Sequence, residues 1–380
     1  MKILYVTTIS NTVNAFLIPH IKFLIEQGNE VNLACNIVQE VNQELFQLGC
    51  NIHQVEFQRS PLKRENVTAY KKIKDIVLHE RYEMVHVHTP VASFITRLAC
   101  RNIKNVKVFY TAHGFHFYKG APKVNWFLYY TLEKLAARWT DTVITMNDED
   151  YKAAQNIKFR SENSVFKVHG VGLDFHTFLP QTKEKKERLR AEYGYDQSDF
   201  ILIYVGELSY RKHQDLLIEA ISHLKDEILQ IRLLLVGDGE KLPEYKELVM
   251  TLGLENKVEF LGYRKDVHHL MTIADVAIST SRQEGLPVNV MEAMATGLPV
   301  VVTDCRGNRD LVNNGENGFI VGVDDLVVLA NGIEKLYLSN DLRQVFAERN
   351  VQKVQKFALK QVLLEMKEVY EKQSIKLKSS

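Results

Sequence analysis

Two glutamates eight residues apart, Glu284 and Glu292, stand in Ser279-Thr-Ser-Arg-Gln-Glu-Gly-Leu-Pro-Val-Asn-Val-Met-Glu-Ala-Met-Ala-Thr-Gly-Leu-Pro-Val-Val301. The pattern predicts a strand ending near Ser279, a Gly-Leu-Pro turn, and a helix opening near Val288. Pro287 fits the first turn of such a helix, where its missing N–H costs nothing. The N–H groups of Leu286, Val288 and Asn289 then point at whatever sits above the helix. Free donors and a partial positive charge make a diphosphate the natural guest, with Gly285, Leu286, Pro287 and Val288 around it. The spacing sets Glu284 beside that guest and Glu292 about one turn down. An ionised carboxylate accepts paired hydrogen bonds from neighbouring hydroxyls, which suits a sugar or a ribose.

A second constellation is Tyr204-Val-Gly-Glu-Leu-Ser-Tyr-Arg-Lys-His-Gln-Asp-Leu-Leu-Ile-Glu-Ala220. A strand runs into a turn at Gly206, and two adjacent cations, Arg211 and Lys212, precede the next helix. Cations there would stabilise charge developing on a leaving diphosphate. An Arg-Lys pair taken alone is equally a solvated turn. Glu207, in the same turn, would repel phosphate, so it must turn away, pair with a cation such as Arg211, or bind something that is not phosphate. Histidines follow two other strands: His113 and His116 after Lys107–Thr111, and His88 at the end of Met84–His88. His88 is expected to line a cleft and His86 to point oppositely. Asn11 and Asn14, in a loop Thr8–Asn14, face the same cleft. Asp148-Glu-Asp150 has the bare form of a metal-binding D-x-D, but Asp148 reads better as an N-cap with acidic first-turn neighbours.

These residues need a scaffold that gathers strand ends. Short β-branched runs alternate with amphipathic stretches along the whole chain: Ile3–Thr7, Val31–Ala34, Met84–His88, Lys107–Thr111 and Thr142–Thr145, then Phe200–Val205, Ile231–Val236, Lys257–Leu261, Val276–Ser279 and Pro299–Thr303. Helical spacing recurs between them, as at Tyr70–Leu78, Trp126–Ala137 and Lys183–Tyr193. Such alternation predicts parallel strands with crossover helices, an α/β sheet covered on both faces. In open parallel sheets ligands collect beyond the carboxyl ends of the strands, where the residues above fall. The pattern restarts after His169-Gly-Val-Gly-Leu-Asp174, which predicts domains 1–178 and 179–359. A last helix, about Lys360–Lys372, is apolar at Val362, Leu363, Met366 and Val369 and could pack back on the first domain.

On these residues the chain resembles family-four glycosyltransferases with the glycogen-synthase-like signature E-G-x-P-x4-E-A-M-A-x-G-x-P-V-V. Leu235-Val-Gly-Asp-Gly-Glu240, Phe260-Leu-Gly-Tyr263 and Asn313-Asn-Gly-Glu-Asn-Gly-Phe319 fit the family too. Gly-Glu-Leu at 206–208 and Thr111-Ala-His-Gly-Phe-His-Phe-Tyr-Lys119 resemble its capsular and exopolysaccharide branch. The resemblance implies a GT-B fold, two Rossmann-like domains facing each other across a cleft, and retaining transfer from a nucleotide sugar, UDP-linked. It implies that Glu284 binds the donor sugar, Glu292 the ribose, and Lys212 the diphosphate with Arg211 in support. Gly262 and Tyr263, with Arg264 beside them, would hold the base, and His113 would lie close to the donor sugar. The family usually carries Arg where Glu207 stands, and many relatives a Gly-Gly pair in the loop of Asn11 and Asn14. The branch implies an acceptor saccharide carried on a polyprenyl diphosphate.

Composition narrows the setting. The chain has 380 residues, 46% hydrophobic and 25% charged, with a net charge of +1. That excludes a collagenous or low-complexity chain, and nothing points to nucleic acid. Residues 1–178 hold 21 Lys and Arg against 16 Asp and Glu, and the remainder 27 against 31. Cys35, Cys50, Cys100 and Cys305 are scattered without metal spacing, as expected of thiols in a reducing cytosol. No stretch reads as a signal peptide or a membrane span, so a cytoplasmic protein is expected, able to sit at the inner face of the cell membrane. Arg59-Ser-Pro-Leu-Lys-Arg64, Lys71-Lys-Ile-Lys74 and the aromatics of Phe115–Tyr130 with Lys119 and Lys123 suit anionic lipid. Solvated loops and core aromatics explain them as well. No cofactor or metal is expected. A sugar-nucleotide epimerase of the same architecture and a non-catalytic nucleotide-sugar binder remain open alternatives.

Overall fold

β-Branched runs buried on both faces become central parallel strands, with amphipathic helices closing each face. The structure, a computed structural model, describes residues 1–58, 60 and 63–374. It divides into two units: Met1–Val171 with the segment from Lys360, and Gly172–Leu359.

The first unit holds β1 (Lys2–Ile9), β2 (Glu30–Asn36), β3 (Ile52–Gln54), β4 (Met84–His88), β5 (Lys107–Ala112), β6 (Thr142–Thr145) and β7 (Val165–Lys167). All neighbours are parallel, in the order β3-β2-β1-β4-β5-β6-β7. One face carries an apolar core that includes Leu4, Val6, Val85, Val87, Val108 and Tyr110. The other face of the central strands is aromatic and polar, with Tyr5, His86, His88, Phe109 and Thr111 all buried. The helix Leu359–Ser374 covers it, stacking Tyr370 on Phe109 at 5.6 Å. The sequence leaves that helix's resting place open, and the sheet settles it by offering hydrogen-bonding groups to Tyr370.

The second unit holds β8 (Phe200–Val205), β9 (Ile231–Val236), β10 (Val258–Gly262), β11 (Val276–Ser279), β12 (Val300–Thr303) and β13 (Gly318–Val321). Its parallel order is β10-β9-β8-β11-β12-β13. Strand alternation sends Phe200, Leu202 and Tyr204 into one core and Ile201 and Ile203 into the other. The helix Lys183–Tyr193 opens at Thr182, whose side chain accepts the Lys185 N–H at 3.3 Å. Three strands lack a sequence signal: β3, β7 and β13. Each is three or four residues long and lies at a sheet edge, where one neighbour and partial burial demand no long apolar run. Among the described residues no helix is long and apolar enough to cross a membrane.

Candidate functional site

Strand order in the second unit reverses at β8, whose chain continues to β9 on one side while β11 pairs on the other. A crevice beyond the carboxyl ends opens at such a switch point. The loops after β8 and β11 meet there and bring Lys212 onto Glu284. Lys212 Nζ lies 2.6 Å from Glu284 Oε1, with both side chains buried. Ser281 Oγ donates to the same oxygen at 2.6 Å, and Arg211 Nη1 lies 3.5 Å from Oε2. Burial alone would raise the Glu284 carboxyl. The Lys212 and Arg211 charges and the hydrogen bonds from Lys212 and Ser281 outweigh it, holding the group below the ordinary carboxylate range. Glu284 is therefore an ionised carboxylate with one oxygen committed and the other less tightly held. Glu207 is exposed and lies 3.9 Å from Arg211, at the outer limit of an ion pair.

Glu292 sits in the helix Val288–Ala295 and has the opposite environment. Its side chain makes no hydrogen bond or ion pair among the described residues. It keeps partial access to solvent, yet the apolar surroundings desolvate it and push its carboxyl up to about 7. The helix begins one residue later than its proline suggests: Pro287 occupies the N-cap, with φ −74° and ψ 113°, not the first turn. An N-cap needs extended backbone, which proline supplies, and the first-turn N–H groups remain open as in any helix start. Leu286 and Val288 turn their side chains into the core, leaving backbone toward the crevice. Gly307 backs this turn: at φ +81°, a Cβ there would lie 2.4 Å from the Gly285 carbonyl oxygen. Gly206 opposes Lys212, and a Cβ at Gly206 would sit 3.4 Å from Lys212 Cε. At the end of β10, Gly262 accepts the Gly237 N–H at 2.8 Å, and Tyr263 is 80% exposed. Arg264 is held by Asp266, with Nε to Oδ1 at 2.8 Å. Its charge is thus shared before any ligand arrives.

In the first unit the histidines form a chain, with His86 and His88 buried and His113 half-buried. His88 Nδ1 lies 3.0 Å from His113 Nε2, and His86 bonds Tyr370 OH and Thr111 Oγ1, each at 2.7 Å. His86 does not point away from His88: their ring centroids are 4.4 Å apart. Residues two apart in a strand share a face, so the expectation of opposite directions misapplied the alternation. Desolvation pushes His86 down to about 3 and His113 to about 4, and His88 well below its ordinary value. Uncharged rings let one nitrogen of each pair accept. Among the described residues His88 Nε2 is buried without a partner. His116 is exposed and tilts over Tyr129 at 4.8 Å.

The stretch after β1 is not a loop. It turns helical at Ser10–Thr12 and continues as a π-helix over Val13–Leu17. Asn14 is tied to the segment after β2, donating to the Glu40 carbonyl at 2.9 Å and accepting from Asn42 N–H at 3.1 Å, while Asn11 is exposed. At Asp148–Gln155 the N-cap is Asn147, accepting the Asp150 N–H at 2.8 Å, so Asp148 is the first helical residue rather than the cap. Asp150 Oδ2 accepts from Asn147 Nδ2 and from the Phe115 N–H. Among the described residues no three His, Cys, Asp or Glu side chains are grouped to hold a metal ion. Of the basic cluster 59–64, Arg59, Pro61 and Leu62 lie outside the described residues.

Two contributors had no signal in the sequence. Tyr204, on β8, donates to the Lys212 carbonyl at 2.7 Å and meets Ser281 Oγ at 2.9 Å, joining the two loops. Arg306, buried after β12, donates from Nε to the Glu284 carbonyl at 2.9 Å. A β-strand tyrosine and a loop arginine look like any others until the fold closes.

The family model described as glycosyl transferases group 1 matches residues 185–353, and that described as glycosyl transferase 4-like matches residues 2–147. The chain is 37% identical to EpsD of Bacillus subtilis (strain 168), named a glycosyltransferase, over 97% of this chain and 96% of that protein. It is 28% identical, over 71% of this chain and 69% of the relative, to the UDP-Gal:alpha-D-GlcNAc-diphosphoundecaprenol alpha-1,3-galactosyltransferase of Escherichia coli. The crystal structure of Anabaena HepE in complex with UDP-glucose covers all of both chains with a TM-score of 0.77 at 23% identity, which shows a shared fold.

Proposed function

This chain belongs to the group 1, family-four-like glycosyltransferases of the GT-B fold, of the exopolysaccharide type, and on that premise we propose how it works. In the proposed reaction a sugar passes from UDP to a saccharide carried on a polyprenyl diphosphate, with retention at the anomeric carbon. The observation that carries the reading is the buried Lys212–Glu284 pair at the switch point. Support for the acceptor and donor comes from the E. coli relative, whose name gives UDP-Gal, a diphosphoundecaprenol acceptor and an α product. Because UDP-hexose donors of the D series are α-linked, an α product is a retained one.

Each residue then has a task. Lys212 and Arg211, with the first-turn N–H groups of the Val288–Ala295 helix, hold the diphosphate as its bond to the sugar C1 breaks. Glu284 accepts hydrogen bonds from the donor sugar's hydroxyls through the oxygen that Lys212 and Ser281 leave open. Glu292 accepts the ribose diol, and backbone at Gly262 and Tyr263 borders the base. The acceptor hydroxyl attacks C1 from the face the diphosphate leaves, and its proton passes to a departing phosphate oxygen. This route needs no metal or cofactor. His113 takes the part the resemblance implies, a hydrogen bond to the donor sugar. The exposed Val124, Phe127 and Leu128 beside Lys119 and Lys123 support peripheral contact with anionic lipid.

The test is a panel of UDP-sugars with saccharides on undecaprenyl diphosphate, run in excess EDTA and read by NMR of the product. An α-linked product is expected. An inverted linkage, an epimerised donor without transfer, or activity restored only by added divalent metal would each overturn part of the reading.

A further inference from the structure

The first unit contains a cavity of about 1180 Å³ at the carboxyl ends of β1, β4 and β5, bounded by the helices Glu65–His79, Pro90–Cys100 and Lys123–Ala136. It is larger than the roughly 300–1,000 Å³ typical of a pocket for a small polar metabolite or drug-sized molecule. Its walls are mostly hydrocarbon, with Val91, Phe94, Leu98, Phe115, Leu128 and Leu132 among them.

The polar side chains that reach it are largely satisfied by one another. Arg97 is buried in a two-pronged pair with Glu133 and lies over the Tyr110 ring at 4.2 Å. Thr8 and Thr89 bond through their hydroxyls at 2.8 Å, and Asn66 holds the Gln58 N–H and the Ser60 carbonyl. A saccharide seated there would leave hydroxyls buried without partners, which is unfavourable. A hydrocarbon chain would leave none.

The lining also includes Lys63, Arg64 and Arg101, all exposed, and none paired with a carboxylate among the described residues. Apolar depth with several uncommitted cations complements one kind of molecule, a long hydrocarbon carrying a multiply charged anionic head. Leu128 and Val67, half or more exposed on the lining, are the surface such a chain would take from water.

We infer that this cavity takes the isoprenoid chain of the acceptor's polyprenyl diphosphate, with Lys63, Arg64 and Arg101 meeting the diphosphate. The inference rests on the lipid-linked acceptor proposed above and adds how that acceptor is read: by its lipid as well as its sugar. The outward residues Val124 and Phe127 of the neighbouring helix set the cavity beside the surface proposed to meet the membrane, so the chain can enter from lipid without crossing water.

The two tryptophans of the chain report on this cavity. Trp139 meets Phe94 edge-on at 6.2 Å, and Trp126 meets Phe117, another lining residue, at 6.0 Å. The full chain is titrated with undecaprenyl diphosphate in detergent micelles, without donor, and tryptophan emission is followed. A saturable change is expected, and Leu128→Asp, at an exposed site that tolerates the change, should weaken it at least ~10-fold. Arg101→Glu should weaken it more at low salt than at high. An equal response to empty micelles, to isopentenyl diphosphate, or to phosphatidylglycerol would overturn the inference, as would unchanged affinity in Leu128→Asp. Because the titration measures binding alone, a separate transfer assay lets the two proposals fail separately. Binding without glycosylation of lipid-linked saccharides removes the acceptor reading alone, whereas glycosylation with an unaltered acceptor KM in Leu128→Asp removes the cavity's role alone.

Discussion

The two glutamates of the motif flank one helix start, Glu284 before it and Glu292 within it, and differ in electrostatic state. Glu284 is kept ionised by Lys212 and Arg211, so its neutral isostere should fold yet lose the contacts proposed in the transition state. Glu284→Gln is expected to lower kcat by at least ~100-fold with circular dichroism unchanged; wild-type kcat would remove it from the site. Lys212→Ala should lose more stability than Glu284→Gln, because it leaves a buried carboxylate without its cation. Glu292, pushed up to about 7, is partly protonated near neutral pH. A ribose diol donates to a carboxylate, so UDP should bind more tightly as pH rises from 6 to 8 and should expel part of a proton at pH 7. Calorimetry in buffers of different ionisation enthalpy measures that proton, and Glu292→Gln should reduce both effects to what the titration of the UDP phosphate itself supplies. A pH-independent UDP affinity in the wild type would show that Glu292 does not face the nucleotide.

At the scale of elements, the last helix is more than a cover for its sheet. Tyr370 joins Tyr5 OH and His86 Nδ1, each at 2.7 Å, and so ties the helix to β1 and β4. His88, two residues from His86, is the neighbour of His113. Tyr370→Phe leaves two buried groups short of a partner and should destabilise the chain by about 1–3 kcal/mol in chemical denaturation. Tyr5→Phe, which disturbs one bond, should cost less, and the reverse order would show that Tyr370 is not the hub. Beside these histidines Thr89 holds φ +62°, costly for a β-branched residue, and its hydroxyl takes both the N–H and the hydroxyl of Thr8. That strain sits where the first unit's strand order reverses.

The whole molecule should answer acid in two ways. In the first unit His86, His88, His113 and His20 all have lowered values, so the unfolded chain binds more protons than the native one below pH 6.5. Stability there is present above pH 6.5 and is lost as pH falls toward 4. Glu292 acts oppositely in the second unit: the native state binds the extra proton between pH 4.5 and about 7, so its contribution falls as pH rises through that window. On acidification from pH 7 to 5, the first unit's thermal transition should drop while the second's holds or rises. Hydrogen exchange assigned to each unit checks this, and equal losses in both would contradict it.

Ten of the thirteen strands among the described residues, the restart of the α/β pattern and the Glu284 to Glu292 motif are legible in the chain, because period and spacing are local properties. The edge strands β3, β7 and β13 are not, since an edge needs too little burial to leave a run. Neither is the place of the last helix, whose apolar stripe says that it is covered but not by what. Residue types told of a carboxylate near cations; only the tertiary structure decided that Lys212 and Glu284 are one buried pair, joined by Tyr204 and Ser281 and backed by Arg306. The histidines were visible singly, while their chain required β4 and β5 in register. Sequence fixes what each segment prefers over a few residues. Which side chains face one another across 70 or 280 residues follows from parallel pairing and the switch in strand order, which no local pattern encodes.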